Sequence, residues 1–231
     1  MLGLRRLADV NNDDSLSNQM RMKRFAFFER LVADLDRPLR ILDVGGTVAF
    51  WEHRGWADKQ DCEITLLNLE AEESPHSNII STAGSAYDMP EHADGSFDVA
   101  FSNSVIEHIF TLENQKKMAA EVRRVAKGYW VQTPNYWFPI EPHFHVPGWQ
   151  WMPVGVRVAL LRRFKCGWRG PCPDKAEATE LVREVRLMTR REMQDAFPDA
   201  YIYAERFKGL TKSWVAIGGS LREALEKQSD V

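Results

Sequence analysis

Apolar residues recur at helical spacing through Leu16, Met20, Phe25, Phe27, Phe28, Leu31, Val32 and Leu35, which predicts a helix across residues 16–35. Pro38 marks the exit from it, and residues 1–14, without such periodicity, read as mobile. Short apolar runs then alternate with helical stripes. Residues 39–44 read as a first strand, 63–69 as a second, 78–83 as a third, 96–102 as a fourth and 128–133 as a fifth. A short aromatic crossover at 47–56 separates the first two strands. One helix is expected to start near Val105 and a longer one to span 113–126, with Met118, Ala119, Val122 and Val125 as its apolar stripe. A helix at 189–197, stopped by Pro198, leads into strands at 201–207 and 213–217. The link of residues 208–212 is too short for a helical crossover, so this last pair must be antiparallel. The alternation elsewhere implies a mostly parallel sheet covered on both faces.

One block breaks the pattern. Residues 135–185 hold Trp137, Trp149, Trp151 and Trp168, half of the eight tryptophans, together with six prolines, and mark a substrate-side elaboration at the carboxyl edge of the sheet. Within it, residues 154–169 carry Arg157, Arg162, Arg163, Lys165 and Arg169 without an acidic residue, interleaved with Val156, Leu160, Leu161 and Phe164. That is the pattern of a basic amphipathic helix. It has three open uses: gripping a phosphate on a substrate, lying on anionic lipid, or covering the core with solvated arginines.

Composition narrows the class. The 231 residues, 44% of them hydrophobic, suffice for one substantial core, so a single domain over 1–231 is expected. The net charge of −3 argues against a nucleic-acid partner. Cys62, Cys166 and Cys172 form neither a disulfide framework nor a cysteine zinc site and fit a reducing, cytoplasmic setting. No apolar run approaches the length of a membrane span or a signal peptide.

The candidate chemistry lies in three ordered segments. In the first, an apolar strand runs into Asp43-Val44-Gly45-Gly46-Thr47, where glycine lets backbone approach a ligand and a carboxylate suits an ammonium. The second is Leu67-Asn68-Leu69-Glu70, and the third Phe97-Asp98 running to Asn103-Ser104-Val105-Ile106-Glu107-His108. Together they resemble the class I S-adenosylmethionine-dependent methyltransferases, in particular the branch known as type 11, strongly over 39–134 and more weakly over 201–217. The resemblance implies an α/β fold, a Rossmann-like sandwich on a seven-stranded mixed sheet, and S-adenosyl-L-methionine as cofactor. It further implies that Gly45 and Gly46 pass beneath the methionine portion, with Asp43 near its amino group or holding the loop. Asn68 falls where the family carries an acidic residue for the ribose, Glu70 two residues on is a substitute carboxylate, and Leu69 lies against adenine. Ser85 and Ala86 match the segment facing the adenine amine, and Asn103 ends the fourth strand. Thr47 departs from the family's final glycine. A nicotinamide dehydrogenase is disfavoured, because Gly45-Gly46-Thr47-Val48-Ala49-Phe50 lacks the third glycine of that fingerprint. Ser104-Val105 after Asn103 likewise lacks the proline pair of DNA amino-methylating enzymes.

Methyl transfer to a hydroxyl calls for a base. His108, His143 and His145 are the candidates, with Glu141 orienting one of the last two; the prolines of 134–147 predict an extended segment with Glu141, His143 and His145 on one side. The short spacing and absent fourth ligand give no expectation of a metal. The expected acceptor is a small molecule, sugar or glycan methylated on oxygen. A lipid-linked acceptor, or a regulatory or scaffold protein that binds cofactor without turnover, stands as the alternative, and the sequence leaves oligomeric state open.

Overall fold

The computed structural model describes residues 16–229; the expected mobile stretch 1–14 lies outside them. Two compact units are present, one of residues 16–35 with 224–229 and the other Asp36–Glu223. In the first, helix α1 (Leu16–Val32) buries Phe25, Phe28, Leu31 and Val32, with the Phe25 and Phe28 rings 5.7 Å apart. Gln228 Nε2 donates to the Arg30 carbonyl at 3.1 Å within that unit.

The second unit is built on seven strands: β1 (Leu39–Val44), β2 (Cys62–Asn68), β3 (Ile79–Ala83), β4 (Phe97–Asn103), β5 (Ala126–Pro134), β6 (Tyr201–Phe207) and β7 (Leu210–Gly219). Their order is β3-β2-β1-β4-β5-β7-β6, parallel except for β7, which runs antiparallel to both neighbours. This is the mixed seven-stranded sandwich expected. The β6–β7 link shrinks to Lys208-Gly209, both at positive φ (47° and 83°), a tight turn whose twist matches the flanking strands. β1 and β5 are buried at nearly every position, because helices cover both faces.

The sheet reverses direction of growth at β1, between β2 and β4, so the carboxyl ends of these strands open a crevice where ligands bind in open α/β sheets. Helix α2 (Val48–His53) follows β1. The helix expected near Val105 is only a 3₁₀ turn, Ile106–His108. Helix α3 (Leu112–Val125) lies with Met118, Ala119, Val122 and Val125 all fully buried. Thr111 starts α3, its Oγ1 accepting the Asn114 N–H at 3.2 Å. Thr111→Ala should cost about 1 kcal/mol of stability and Thr111→Ser little, measured by urea unfolding.

The block after β5 has its own small core, in which helices α4 (Val154–Arg163) and α5 (Lys175–Arg183) enclose Phe144, Trp149, Val158, Leu161, Cys166 and Cys172. The expected stripe of α4 is corrected here: Val158 and Leu161 turn inward, while Val156 and Phe164 are exposed. The three cysteines are free and buried. Helix α6 (Arg190–Ala196) then leads to β6, opened by a capping box of Thr189 and Glu192. Among the described residues no helix is long and apolar enough to cross a membrane.

Candidate functional site

The crevice begins where β1 ends. Gly45 turns the chain at φ +78°, where a Cβ would lie 2.4 Å from a Val105 methyl carbon. A Cβ on Gly46 would lie 1.7 Å from Asp43 Oδ2, so glycine is obligatory if that carboxyl is to sit under the turn. Asp43 is only 1% exposed, and its Oδ2 accepts Trp51 Nε1–H at 2.7 Å. Burial pushes its pKa up to about 7, with the Trp51 hydrogen bond working the other way. Of the two roles implied for Asp43, the geometry is that of holding the loop. Thr47, in place of a glycine, caps α2 by accepting the Phe50 N–H at 3.2 Å.

Asn68 clamps the same turn from β2, its Nδ2 donating to the Gly46 carbonyl at 2.8 Å. The strand ends there, so Glu70 does not continue on the Asn68 face; it lies on an exposed bend. The carboxylate that returns to the turn is Glu72, whose Oε1 accepts the Val48 N–H at 2.8 Å. Nothing in the run Glu70-Ala71-Glu72-Glu73 singles it out. Leu69 stands 85% exposed beyond β2. Ser85 Oγ accepts the Tyr87 N–H at 3.4 Å, and Ala86 packs on the core. At the end of β4, Asn103 Oδ1 is buried without a partner.

These features fit an adenosyl cofactor. A glycine turn that any side chain would fill, an orphaned buried acceptor suited to an ammonium, and a solvent-facing leucine suited to a base all stand on one sheet edge. Gly45, Gly46 and Asn103 would hold the amino-acid end, and Asn68, Leu69, Ser85 and Ala86 the nucleoside.

A second group lies immediately after β4. The 3₁₀ turn places Glu107 fully inside, where Oε2 accepts from Thr133 Oγ1 at 3.0 Å and Oε1 has no partner. His108 stands edge-on to His143, ring centroids 4.8 Å apart. Glu141, 1% exposed, accepts the backbone N–H groups of His143 (2.8 Å) and Phe144 (2.7 Å) through Oε2, and its Oε1 bonds His143 Nδ1. That bond fixes the ring and leaves the Nε2 lone pair free. Glu184, locked by two bonds from Arg169, lies 3.8 Å from His108 Nδ1.

The three groups are tuned apart. Burial, followed by the His143 charge, drives His108 down to about 4. Burial drives Glu107 up to about 7 against the His143 charge. For His143 burial favours the neutral ring, but the Glu141 hydrogen bond and charge, then the Glu107 charge, outweigh it and raise its pKa. Such divergence within one cluster is the mark of acid–base sites.

The raised carboxyls also fix the sign of pH-dependent stability. Asp43 and Glu107 keep protons in the fold from their ordinary values of 3.8 and 4.5 up to about 7, whereas the unfolded chain releases them earlier. Stability should therefore fall as pH rises through that window, by about 1 kcal/mol per pH unit for each group. Asp43→Asn and Glu107→Gln should each flatten the slope between pH 5 and pH 7 in urea unfolding; an unaltered slope in both contradicts the assignment.

His145 is set apart from this cluster. The segment expected to be extended turns at 142–144, because Glu141 gathers the following N–H groups, and His145 itself has φ +51° with its ring 5.4 Å from Trp168. The triplet brought together is Glu107, His108 and His143, with one potential ligand atom from each within 4.8 Å of the others, in place of Glu141, His143 and His145. Two imidazoles and a carboxylate are of the type that holds a divalent metal.

A cavity of about 340 Å³ adjoins Glu141 and extends between the inserted block and the segment 185–192. Tyr136, Phe144 and Trp149 give it aromatic walls. Trp149 is stacked on Phe144 (4.3 Å, 19°) and buried; the open aromatic pair is Trp137 and Trp151, 6.3 Å apart. The basic run divides: Arg162, Arg163 and Lys165 face outward, whereas Arg157 lines the cavity.

The family model described as "Methyltransferase domain" matches residues 53–128, which include β2 to β4, the Glu107-His108 turn and α3. An uncharacterised protein of Mycobacterium tuberculosis, in strains CDC 1551 and H37Rv, is 43% identical over 51 residues, 22% of this chain. That match spans 17% of the length of those relatives. Among solved structures, the CurJ carbon methyltransferase is similar over 92% of this chain and 57% of that one, at 11% identity and a TM-score of 0.59. A chain in the complex of the Haloferax volcanii Trm112 methyltransferase activator with a methyltransferase is similar over 93% of this chain and 97% of that one, at 11% identity and a TM-score of 0.50. At such identities these structures speak for the fold.

Proposed function

We propose that the chain is a class I S-adenosylmethionine-dependent methyltransferase, an enzyme transferring a methyl group to an oxygen of a small-molecule acceptor, of sugar or aromatic-alcohol type. The observation that carries the oxygen reading is the Glu141–His143 pair, with His143 beside buried Glu107 and with Glu141 lining the cavity. A neutral amine attacks with its own lone pair, whereas a hydroxyl gains from a base that takes its proton.

Bound at the glycine turn, S-adenosylmethionine supplies a methyl group activated on sulfonium. The inserted block aligns the acceptor and excludes water, which turns a bimolecular encounter into a positioned one. His143 Nε2 would take the proton of the acceptor hydroxyl, and Glu141 would stabilise the resulting imidazolium. His108, held neutral at working pH, contributes a hydrogen bond without competing for that proton. Three buried, unbridged thiols support a reducing compartment for the protein.

Calorimetric titration tests the cofactor half. S-adenosylhomocysteine should bind with a Kd in the micromolar range and NADH should not bind; a folded protein with no affinity for S-adenosylhomocysteine or S-adenosylmethionine contradicts the proposal.

A further inference from the structure

We infer that the cavity beside Glu141 is the acceptor site and that it takes an anionic acceptor, a carboxylate or phosphate ester, seated on Arg157. This rests on the methyl-transfer reading above and names the substrate class of that site. The charged side chains of the cavity wall are Glu141, Arg157, Arg186 and Glu192. Arg186 is engaged by Glu192 and by Gln115 Oε1 at 2.8 Å. Glu141 is engaged by His143 and two backbone N–H groups. Gln150 spends its amide on the carbonyls of Tyr136 (2.9 Å) and Phe138 (2.6 Å), leaving its Oε1 buried without a partner. Among the described residues Arg157 has neither an ion pair nor a side-chain hydrogen bond, and its Nε is buried.

A guanidinium cannot shed its proton to escape a partly desolvated position, so burial leaves a charge that water solvates poorly. Burial accordingly works against the charged form of Arg157. Nature keeps such a group where an anion completes it, and the planar fork of arginine matches a carboxylate or phosphate in two parallel hydrogen bonds. Its neighbours on the basic run differ. Arg162 Nε donates to the Pro173 carbonyl at 2.9 Å, and Arg163 and Lys165 are exposed to water. The aromatic walls, Tyr136 with the stacked Phe144 and Trp149, suit a flat or ring-shaped body attached to the anion.

The test uses probes of matched shape: 4-hydroxybenzoate and phenyl phosphate as anions, and 4-hydroxybenzamide as the neutral counterpart, titrated by NMR into the full chain saturated with S-adenosylhomocysteine. Both anions should bind, with the amide at least about tenfold weaker. Arg157→Gln should weaken the anions by about tenfold and erase the preference over the amide; Arg157→Lys should retain part of it and guards against a folding defect in the glutamine variant. Arg163→Gln should change nothing. Comparing the two anions identifies which headgroup the fork prefers. Equal binding of amide and carboxylate, anion binding unmoved by Arg157→Gln, or no binding of either anion overturns the inference, the last two being the results expected if Arg157 merely passes its stem along the wall to reach water. Titration of S-adenosylhomocysteine on the same samples reports separately on the methyltransferase reading.

Discussion

His143→Ala is expected to lower kcat by about 10²–10⁴-fold while leaving the Kd for S-adenosylhomocysteine within about twofold of wild type. The side chain removed carries the only imidazole lone pair in the cluster that is both oriented by a carboxylate and raised toward working pH. The pH profile gives the sign. A base must be unprotonated, and the His143 pKa is raised above its ordinary 6.5, so kcat should rise with pH through an inflection above that value. Glu141→Gln removes the charge that favours imidazolium, so the inflection should move to lower pH and kcat on the alkaline plateau should fall. His108→Ala should leave that inflection in place, because His108 is held at about 4. Wild-type turnover in His143→Ala would leave the ring a structural partner of Glu141.

Gly46→Ala is expected to abolish measurable cofactor binding. The new methyl group would fall 1.7 Å from Asp43 Oδ2, so the carboxyl must leave its place, breaking its bond to Trp51 Nε1 and releasing the turn that Asn68 clamps. A buried indole N–H left unsatisfied costs about 1–3 kcal/mol, and strain in the turn adds to it, so the thermal midpoint should drop as well. Asp43→Ala combined with Gly46→Ala vacates the space the methyl group needs. It should recover part of the lost stability, a non-additive pair of the kind expected for residues in contact. Binding of S-adenosylhomocysteine and thermal unfolding of Gly46→Ala, Asp43→Ala and the double variant measure both effects. Wild-type affinity in Gly46→Ala would show that the turn does not approach the ligand.

The glycine turn and the sheet were legible in the sequence because their signals are local. Strand runs such as 39–44 coincide with β1, and the short link after β6 dictates antiparallel pairing. The role of Asp43 was half legible: only the fold shows Trp51 arriving from α2 to hold the carboxyl under Gly46. Glu70 was expected to replace the ribose carboxylate on the premise that β2 continued; it ends at Asn68. The cluster of Glu107, His108 and His143 depended on contacts no periodicity encodes. Glu107 reads as the neighbour of a histidine until β5 presents Thr133 to it, and His143, which lies against His108, sits in a turn that Glu141 organises with its own side chain. Prolines favoured an extended 141–145 and would have left His143 and His145 equivalent, but hydrogen bonding by the Glu141 carboxylate prevails over that local bias. The basic run likewise looked uniform because charge patterning carries no information on which arginine faces a cavity formed partly by residues 185–192.

Methyl transfer to an oxygen of a small molecule is tested by incubating the protein with S-adenosylmethionine labelled at its methyl group and a cell extract, then locating the label by mass spectrometry. A labelled small molecule with the methyl on oxygen is expected, formed by the wild-type protein and lost in His143→Ala. Enzyme-dependent label found only in RNA or protein, or a methyl group on carbon or nitrogen, would contradict it.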